Sequence, residues 1–159
     1  MAGNNNDIIT IGWREQVAFP DWGIKRVRAK IDTGARTSAI HVAQIEELDS
    51  GHIRFEVVVR ERPSRKTIWI DAERVVREST VKPSSGDLQQ RPVVKTRIIL
   101  GGIQREIELS LVCRAGMLCR MLIGRTALEG AFLVDSSRKY VTGKKGRKKS
   151  KTKNKGGSK

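Results

Sequence analysis

The fold of this chain is decided by residues 30–39, which read KIDTGARTSA. They complete a segment, Ile24–Ile31, in which apolar and basic side chains alternate with the period of two that is typical of a half-buried strand. This strand runs directly into Asp32. Gly34 lets the backbone turn sharply after it, and the Thr33 hydroxyl can hydrogen-bond to the turn. The pattern therefore predicts a carboxylate held rigidly at the end of a strand.

Short β-type segments dominate the rest of the chain, and turn sequences rich in Gly, Pro and Ser separate them. The predicted strands cover residues 54–59, 67–71, 93–100 and 105–112, with turns at 20–23, 61–64, 82–87 and 101–102. Gly101 and Gly102 predict a hairpin over 93–112. One short helical turn is expected at 126–130, with Thr126 as its cap and Gly130 as its end. These spacings predict an all-β barrel or sandwich with at most one short helix.

Composition divides the chain into a folded domain and a basic tail. Residues 143–159 contain nine Lys or Arg and no acidic residue, and the remainder holds 23 basic and 17 acidic residues, a net charge of about +6. The tail has too little apolar surface to fold, so we expect a domain over 7–142 and a disordered tail over 143–159. A pI near 10.5 indicates polyanionic partners. Nucleic acid or ribosome binding through the tail is expected, with a tail that only aids solubility as the alternative.

Several classes of protein find no support in the sequence. Residues 1–7 do not resemble a signal peptide, and no apolar run approaches the roughly 20 residues that span a bilayer, so a cytoplasmic protein without membrane contact is expected. Cys113 and Cys119 are interpreted as two thiols in a reducing compartment. His41 and His52 belong to no zinc-binding motif, and no phosphate-binding loop occurs. We therefore expect no metal and no cofactor.

A second informative segment lies near the end of the expected domain. Residues 121–128 read MLIGRTAL, an apolar strand that ends in Gly124-Arg125. With the D-T-G-A of Asp32 to Ala35 before it, the chain resembles the retropepsin-like aspartic peptidases, which carry D-T-G-A and, further on, an apolar pair followed by Gly-Arg. The resemblance implies a small closed acid-protease barrel. It also implies that Asp32 is catalytic, with a supporting loop of Thr33, Gly34 and Ala35 and a structural second motif of Ile123, Gly124 and Arg125.

Three segments, residues 12–15, 29–40 and 121–135, indicate one subfamily more specifically. The resemblance as a whole covers most of residues 8–140. These segments are similar to a bacterial and archaeal subfamily that often carries the label "ATP-dependent zinc protease". That subfamily includes a peptidase associated with the ATP-grasp ligases that add glutamates to a ribosomal protein. An acidic or glutamate-rich protein substrate is the expectation that follows.

The implied mechanism needs two carboxylates that share one proton, as in the aspartic proteases that illustrate this principle. One activates a water and the other polarises the scissile carbonyl, and no covalent intermediate forms. The chain contains D-T-G once and no internal repeat. The resemblance therefore implies a homodimer in which Asp32 of a second copy completes the dyad.

Arg36 departs from the viral members of the family, which carry an acidic residue there that pairs with the Arg of Gly-Arg. Arg125 is therefore expected to find another carboxylate, Asp135 or Glu129 or one from a partner chain. Arg36 itself is expected either to bind an acidic substrate or to lie solvated on the surface.

Two other functions compete with the homodimeric aspartic endopeptidase. One is a non-catalytic β-barrel module that binds RNA or ribosome, in which D-T-G is only a turn. The other is a metalloprotease, as the subfamily label suggests, which would contain stoichiometric zinc.

Overall fold

The computed structural model describes residues 7–75, 91–113 and 120–142. They form ten strands, one short α-helix and two single-turn 3₁₀ helices, Pro20–Trp22 and Asp49–Gly51. In chain order the elements are β1 Ile9–Gly12, β2 Arg14–Phe19, β3 Ile24–Ile31, β4 Ser38–Glu47, β5 His52–Arg60, β6 Lys66–Glu73, β7 Val93–Leu100, β8 Ile103–Val112, β9 Met121–Ile123, α1 Arg125–Leu128 and β10 Phe132–Asp135.

Six strands close into a barrel in the order β4-β8-β7-β2-β3-β9, because β9 also pairs with β4. Strands β5 and β6 extend the sheet outward from β4, and β1 and β10 form a separate parallel pair. The all-β closed barrel with a single short helix is thus confirmed. None of the helices in the described ranges is long and apolar enough to cross a membrane.

The core fills the barrel with aliphatic side chains from alternate strand positions. Along β3 the buried residues include Val27, Ala29 and Ile31, as the period of two predicts. Aromatic packing closes one end, where Phe19 stacks on Trp22 with ring centroids 4.7 Å apart. A rigid core of this kind fixes the ends of the strands, and the candidate site lies at the end of β3.

The predicted hairpin over 93–112 is confirmed, and Gly101 and Gly102 turn it with φ values of 59° and 82°. The prediction that Thr126 caps the short helix is wrong. That helix begins at Arg125, Gly124 occupies the N-cap position, and no side chain caps it. The expected turn at 82–87, the thiol of Cys119 and the expected tail at 143–159 lie outside the described residues.

Candidate active site

Asp32 is the first residue after β3, and it is partly buried. Its backbone N–H donates to the Ile123 carbonyl at 2.8 Å. Its side-chain Oδ1 accepts the backbone N–H of Gly34 at 3.0 Å, and its own carbonyl accepts the N–H of Ala35 at 3.1 Å. The carboxylate is therefore held by its own loop, and the other oxygen, Oδ2, accepts no hydrogen bond within the described parts of the chain.

Strand β9 places the second motif against this loop. It runs parallel to β3, with Ile31 opposite Ile123, and antiparallel to β4, with Ala39 opposite Leu122. The two motifs are about 90 residues apart in sequence, and β9 brings them together because it fills the gap between β3 and β4. Ile123 is fully buried, so its role is to anchor the strand in the core.

Gly124 lies where the backbones of the two motifs meet. A Cβ built on Gly124 would stand 2.6 Å from the carbonyl carbon of Thr37 and 2.8 Å from its nitrogen, which no side chain tolerates. The backbone N–H of Gly124 donates to the hydroxyl of Ser38 at 3.0 Å, and Ser38 is buried. Glycine is required here for close approach.

Arg125 binds the Asp32 loop through backbone carbonyls. Its Nη1 donates to the carbonyls of Thr33 and Gly34, each at 3.2 Å, and its backbone N–H donates to the Ala35 carbonyl at 2.8 Å. The expectation that Arg125 pairs with Asp135 or Glu129 is wrong. Carbonyl oxygens of the loop supply the acceptors, so a carboxylate on this chain is not needed.

Asp135 and Glu129 make other contacts. Asp135 accepts the backbone N–H and the hydroxyl of Ser137, and these bonds, with the nearby Arg138, hold the pKa of its carboxyl below the usual value. The backbone carbonyl of Glu129 accepts a hydrogen bond from Arg105 at 2.9 Å.

Thr126 completes the connection between helix α1 and the loop. Its backbone N–H and its hydroxyl both donate to the Arg36 carbonyl, at 3.1 and 3.0 Å. Sequence reasoning missed this role, and also that of Ser38. Thr126 directly follows the second motif and Ser38 lies three residues after the first, and a polar residue at such a position could have signalled a structural hydrogen bond.

The Arg36 side chain is exposed and lines a polar cavity of about 310 Å³. The other lining residues come from β7, β8, the loop and helix α1, namely Thr37, Lys95, Glu106, Ile107, Glu108 and Thr126. The cavity therefore carries both signs of charge. Asp32 does not line it, so the structure does not bring the Arg36 side chain and the Asp32 carboxylate into one pocket.

Neither histidine joins the Asp32 loop. His41 is buried in β4, where burial and then the charge of Arg120 lower its pKa, so it is neutral near pH 7. His52 is exposed at the start of β5. Within the described residues no three His, Cys, Asp or Glu side chains cluster closely enough to hold a metal ion. Cys113 is an exposed free thiol.

Glu15 is a buried carboxylate whose role the sequence reasoning missed. It is fully buried on β2 and accepts the backbone N–H of Gly12 at 2.6 Å, of Val141 at 2.9 Å and of Thr142 at 3.4 Å, together with the Thr142 hydroxyl at 3.0 Å. Its carboxylate thus ties the end of the described chain to the barrel. A charged residue on the inward face of an alternating strand is the signal that could have revealed it.

Comparison with protein families gives one match that covers most of the chain. A family model described as "RimB-like: Retropepsin-like aspartic endopeptidase RimB" matches residues 10–145. The matched range contains both motifs and every hydrogen bond that joins them.

Curated relatives carry a different printed name. A "Probable alpha-L-glutamate ligase" of Shewanella pealeana is 38% identical over 139 residues, which are 86% of this chain and 30% of that protein. A protein of the same name from Desulfotalea psychrophila is 33% identical, over 84% of this chain and 29% of its own length. The chain thus spans less than a third of the length of the curated relatives it matches.

Among solved structures, a Legionella pneumophila protein of unknown function (DUF785) is similar, with a TM-score of 0.68 and 26% identity. The match covers 86% of this chain and the whole of that one.

Proposed function

Because this chain belongs to the RimB-like family of retropepsin-like aspartic endopeptidases, we propose that it hydrolyses peptide bonds with Asp32 as a catalytic carboxylate. The observation that carries this proposal is the fixation of Asp32. Its Oδ1 accepts the Gly34 N–H, and Arg125 holds the same loop by two carbonyls. Two motifs about 90 residues apart thus converge on one carboxylate, as a preorganised catalytic group requires.

The reaction needs a second carboxylate close to the first. Two carboxyls at short distance share one proton, because like charges cannot both ionise cheaply there. The ionised group takes a proton from water as that water attacks the carbonyl, and the protonated group donates to the carbonyl oxygen. D-T-G occurs once in the sequence. We therefore propose that Asp32 of a second copy supplies the partner across a two-fold axis.

Exposed apolar side chains on the β1–β10 pair support association with a second copy. Leu133 is 60% exposed and lies opposite Thr10, and Ile8, which directly precedes β1, is 51% exposed. A partner that covers these side chains removes apolar surface from water, which stabilises the association.

The proposed substrate is an acidic or glutamate-rich protein. Three observations support it: a net charge of about +6 outside the basic tail, the exposed Arg36 next to the catalytic loop, and the printed name of the relatives, which concerns joining glutamate. Positive charge on the protein raises the rate at which an acidic chain associates with it. The Arg36 cavity also contains Glu106 and Glu108, which repel other carboxylates. We therefore propose that the substrate carboxylates lie on the Arg36 side of the cavity.

Asp32→Asn tests the proposal, because it removes the titratable group and keeps the shape. The matched control is Asp49→Asn, an exposed carboxylate on a 3₁₀ turn. Unfolded casein and a glutamate-rich peptide are incubated with each protein, with and without EDTA, and new peptide termini are read by mass spectrometry. We expect cleavage by the parent and by Asp49→Asn, a loss of at least about 10³-fold in Asp32→Asn, and no effect of EDTA.

The alternatives are decided by the same experiment. Cleavage that survives Asp32→Asn and stops with EDTA would establish a metalloprotease. No cleavage by any form, with both substrates, would favour the non-catalytic binding module.

A further inference from the structure

Strand β3 carries four exposed cations and no acid. Lys25, Arg26, Arg28 and Lys30 all point outward, while the apolar residues between them enter the core. Arg26, Arg28 and Lys30 occupy alternate positions, so neighbouring charges follow one another at about 6.7 Å along one face of the strand.

No ion pair joins these cations to an acid within the described ranges. Elsewhere in the sheet, Arg54 of β5 pairs with Asp71 and Arg97 of β7 pairs with Asp21. Balanced pairs of that kind add little field, whereas a row of unpaired charges produces a positive potential over the surface.

The neighbouring strand adds to this field. Across the β2–β3 ladder Arg14 lies opposite Lys30 and Gln16 opposite Arg28. The acidic residue of β2, Glu15, points into the core and is bonded to backbone N–H groups, so the outer face of the β2–β3 ladder carries no carboxylate. The term hairpin face is used below for the four cations Arg14, Arg26, Arg28 and Lys30.

The last described residues of the chain lie beside this same hairpin. Glu15 of β2 holds Val141 and Thr142, and the sequence that follows, residues 143–159, holds nine Lys or Arg and no acid. The basic sequence is therefore joined to the described chain at Thr142, which is bonded to β2.

The chemistry of the hairpin face fits a phosphate backbone better than a polypeptide. The large hydrophobic residues exposed in the described part of the chain are Ile8, Leu48, Trp69 and Leu133, none of which is on β2 or β3. Protein partners are bound chiefly by apolar and aromatic anchors in pockets. A nucleic acid needs only regularly spaced cations, because its affinity comes from releasing counterions.

We infer that the hairpin face is a nucleic-acid-binding surface of the barrel, which binds RNA through its phosphates and without sequence preference. Because Lys30 precedes Asp32 by two residues, RNA bound there lies beside the catalytic loop.

The test measures binding of a fluorescent 20-nucleotide single-stranded RNA to the full chain across a salt series. One variant carries Arg26→Gln, Arg28→Gln and Lys30→Gln. The matched control carries Arg60→Gln, Arg62→Gln and Lys66→Gln, three exposed cations on the β5–β6 hairpin with the same change in charge. A third variant, Arg26→Lys with Arg28→Lys, keeps the charge of the face.

We expect the first variant to bind RNA about 10–100-fold more weakly near 0.1 M salt. Its slope of log K against log salt should shrink by about 2, since each phosphate contact in a single strand contributes about 0.7. The control should lose less than about threefold, and the lysine variant should bind as the parent does. If the first variant and the control lose RNA affinity equally, or if neither loses any, the proposal is overturned.

A polyglutamate peptide of 20 residues separates the two classes of polyanion. If the first variant loses at least as much affinity for polyglutamate as for RNA, the face binds acidic polypeptides and the RNA proposal fails. Thermal unfolding within a few degrees of the parent, expected for exposed substitutions, shows that the variants are folded.

Discussion

At the scale of single residues, the Asp32 site is built from backbone contacts. The loop from Thr33 to Arg36 presents its carbonyls to Arg125 and Thr126, and four backbone groups are satisfied in this way. The second motif thus fixes the conformation of the first through these hydrogen bonds. This explains why the chain tolerates Arg36 where the viral enzymes carry an acid.

Gly124→Ala should destabilise the protein by about 2–3 kcal/mol, because the added methyl overlaps the Thr37 backbone and neither strand can move without losing its partner. Urea unfolding measures the change. Gly102→Ala is the comparison, since its φ of 82° is strained but its Cβ would meet nothing within 4 Å, and about 1 kcal/mol is expected there. If the two variants are equally stable, the close approach at Gly124 is not a constraint.

Residue roles were predictable where they rest on local sequence and not where they rest on distant contacts. D-T-G-A after an alternating strand indicated the position of Asp32. The partners of Arg125 and the hydroxyl of Ser38 depend on how β9 lies between β3 and β4. No spacing within the sequence specifies that placement, so Arg125 was assigned a carboxylate it does not contact.

At the scale of elements, strands whose sequence alternates apolar and polar residues, such as β3, were predicted, whereas β1, β2, β4 and β10 were missed. In β4 the buried residues Ile40, His41 and Val42 are consecutive, because a register shift follows Val42 where the strand passes from the barrel to β5. In β2 the inward position of Glu15 hides the period of two. Four-residue strands such as β1 and β10 pair across more than 120 residues, and so short a segment carries little local signal.

Glu15→Gln should loosen the end of the described chain. The amide replaces one acceptor oxygen with a donor that faces the N–H groups of Gly12, Val141 and Thr142. A loss of about 2–3 kcal/mol is expected from the unsatisfied buried groups. Hydrogen exchange at 140–142 should accelerate more than in β7 or β8.

The control for Glu15→Gln is Glu46→Gln, which is exposed on β4. Its free energy of unfolding and its hydrogen exchange at 140–142 should equal those of the parent. Slow exchange at 140–142 in Glu15→Gln would mean that β1 and β10 hold this segment without the carboxylate.

At the scale of the whole molecule, the closed barrel fixes the end of β3, where the proposed catalytic Asp32 lies. The barrel supplies rigidity, and the described chain offers a single D-T-G aspartate there. Half a dyad is chemically incomplete, because one carboxylate cannot be both the ionised base and the protonated acid. The proposed second copy therefore belongs to the mechanism itself.

The most direct test of the shared dyad mixes the parent with Asp32→Asn at fixed total concentration, after the two have been allowed to exchange subunits, and measures peptide cleavage. If each active site needs Asp32 from both copies, only parent–parent dimers work. Activity should then fall with the square of the parent fraction, to about a quarter in an equal mixture. A linear fall, to about half in the equal mixture, would contradict this account, because each chain would then carry a complete site of its own.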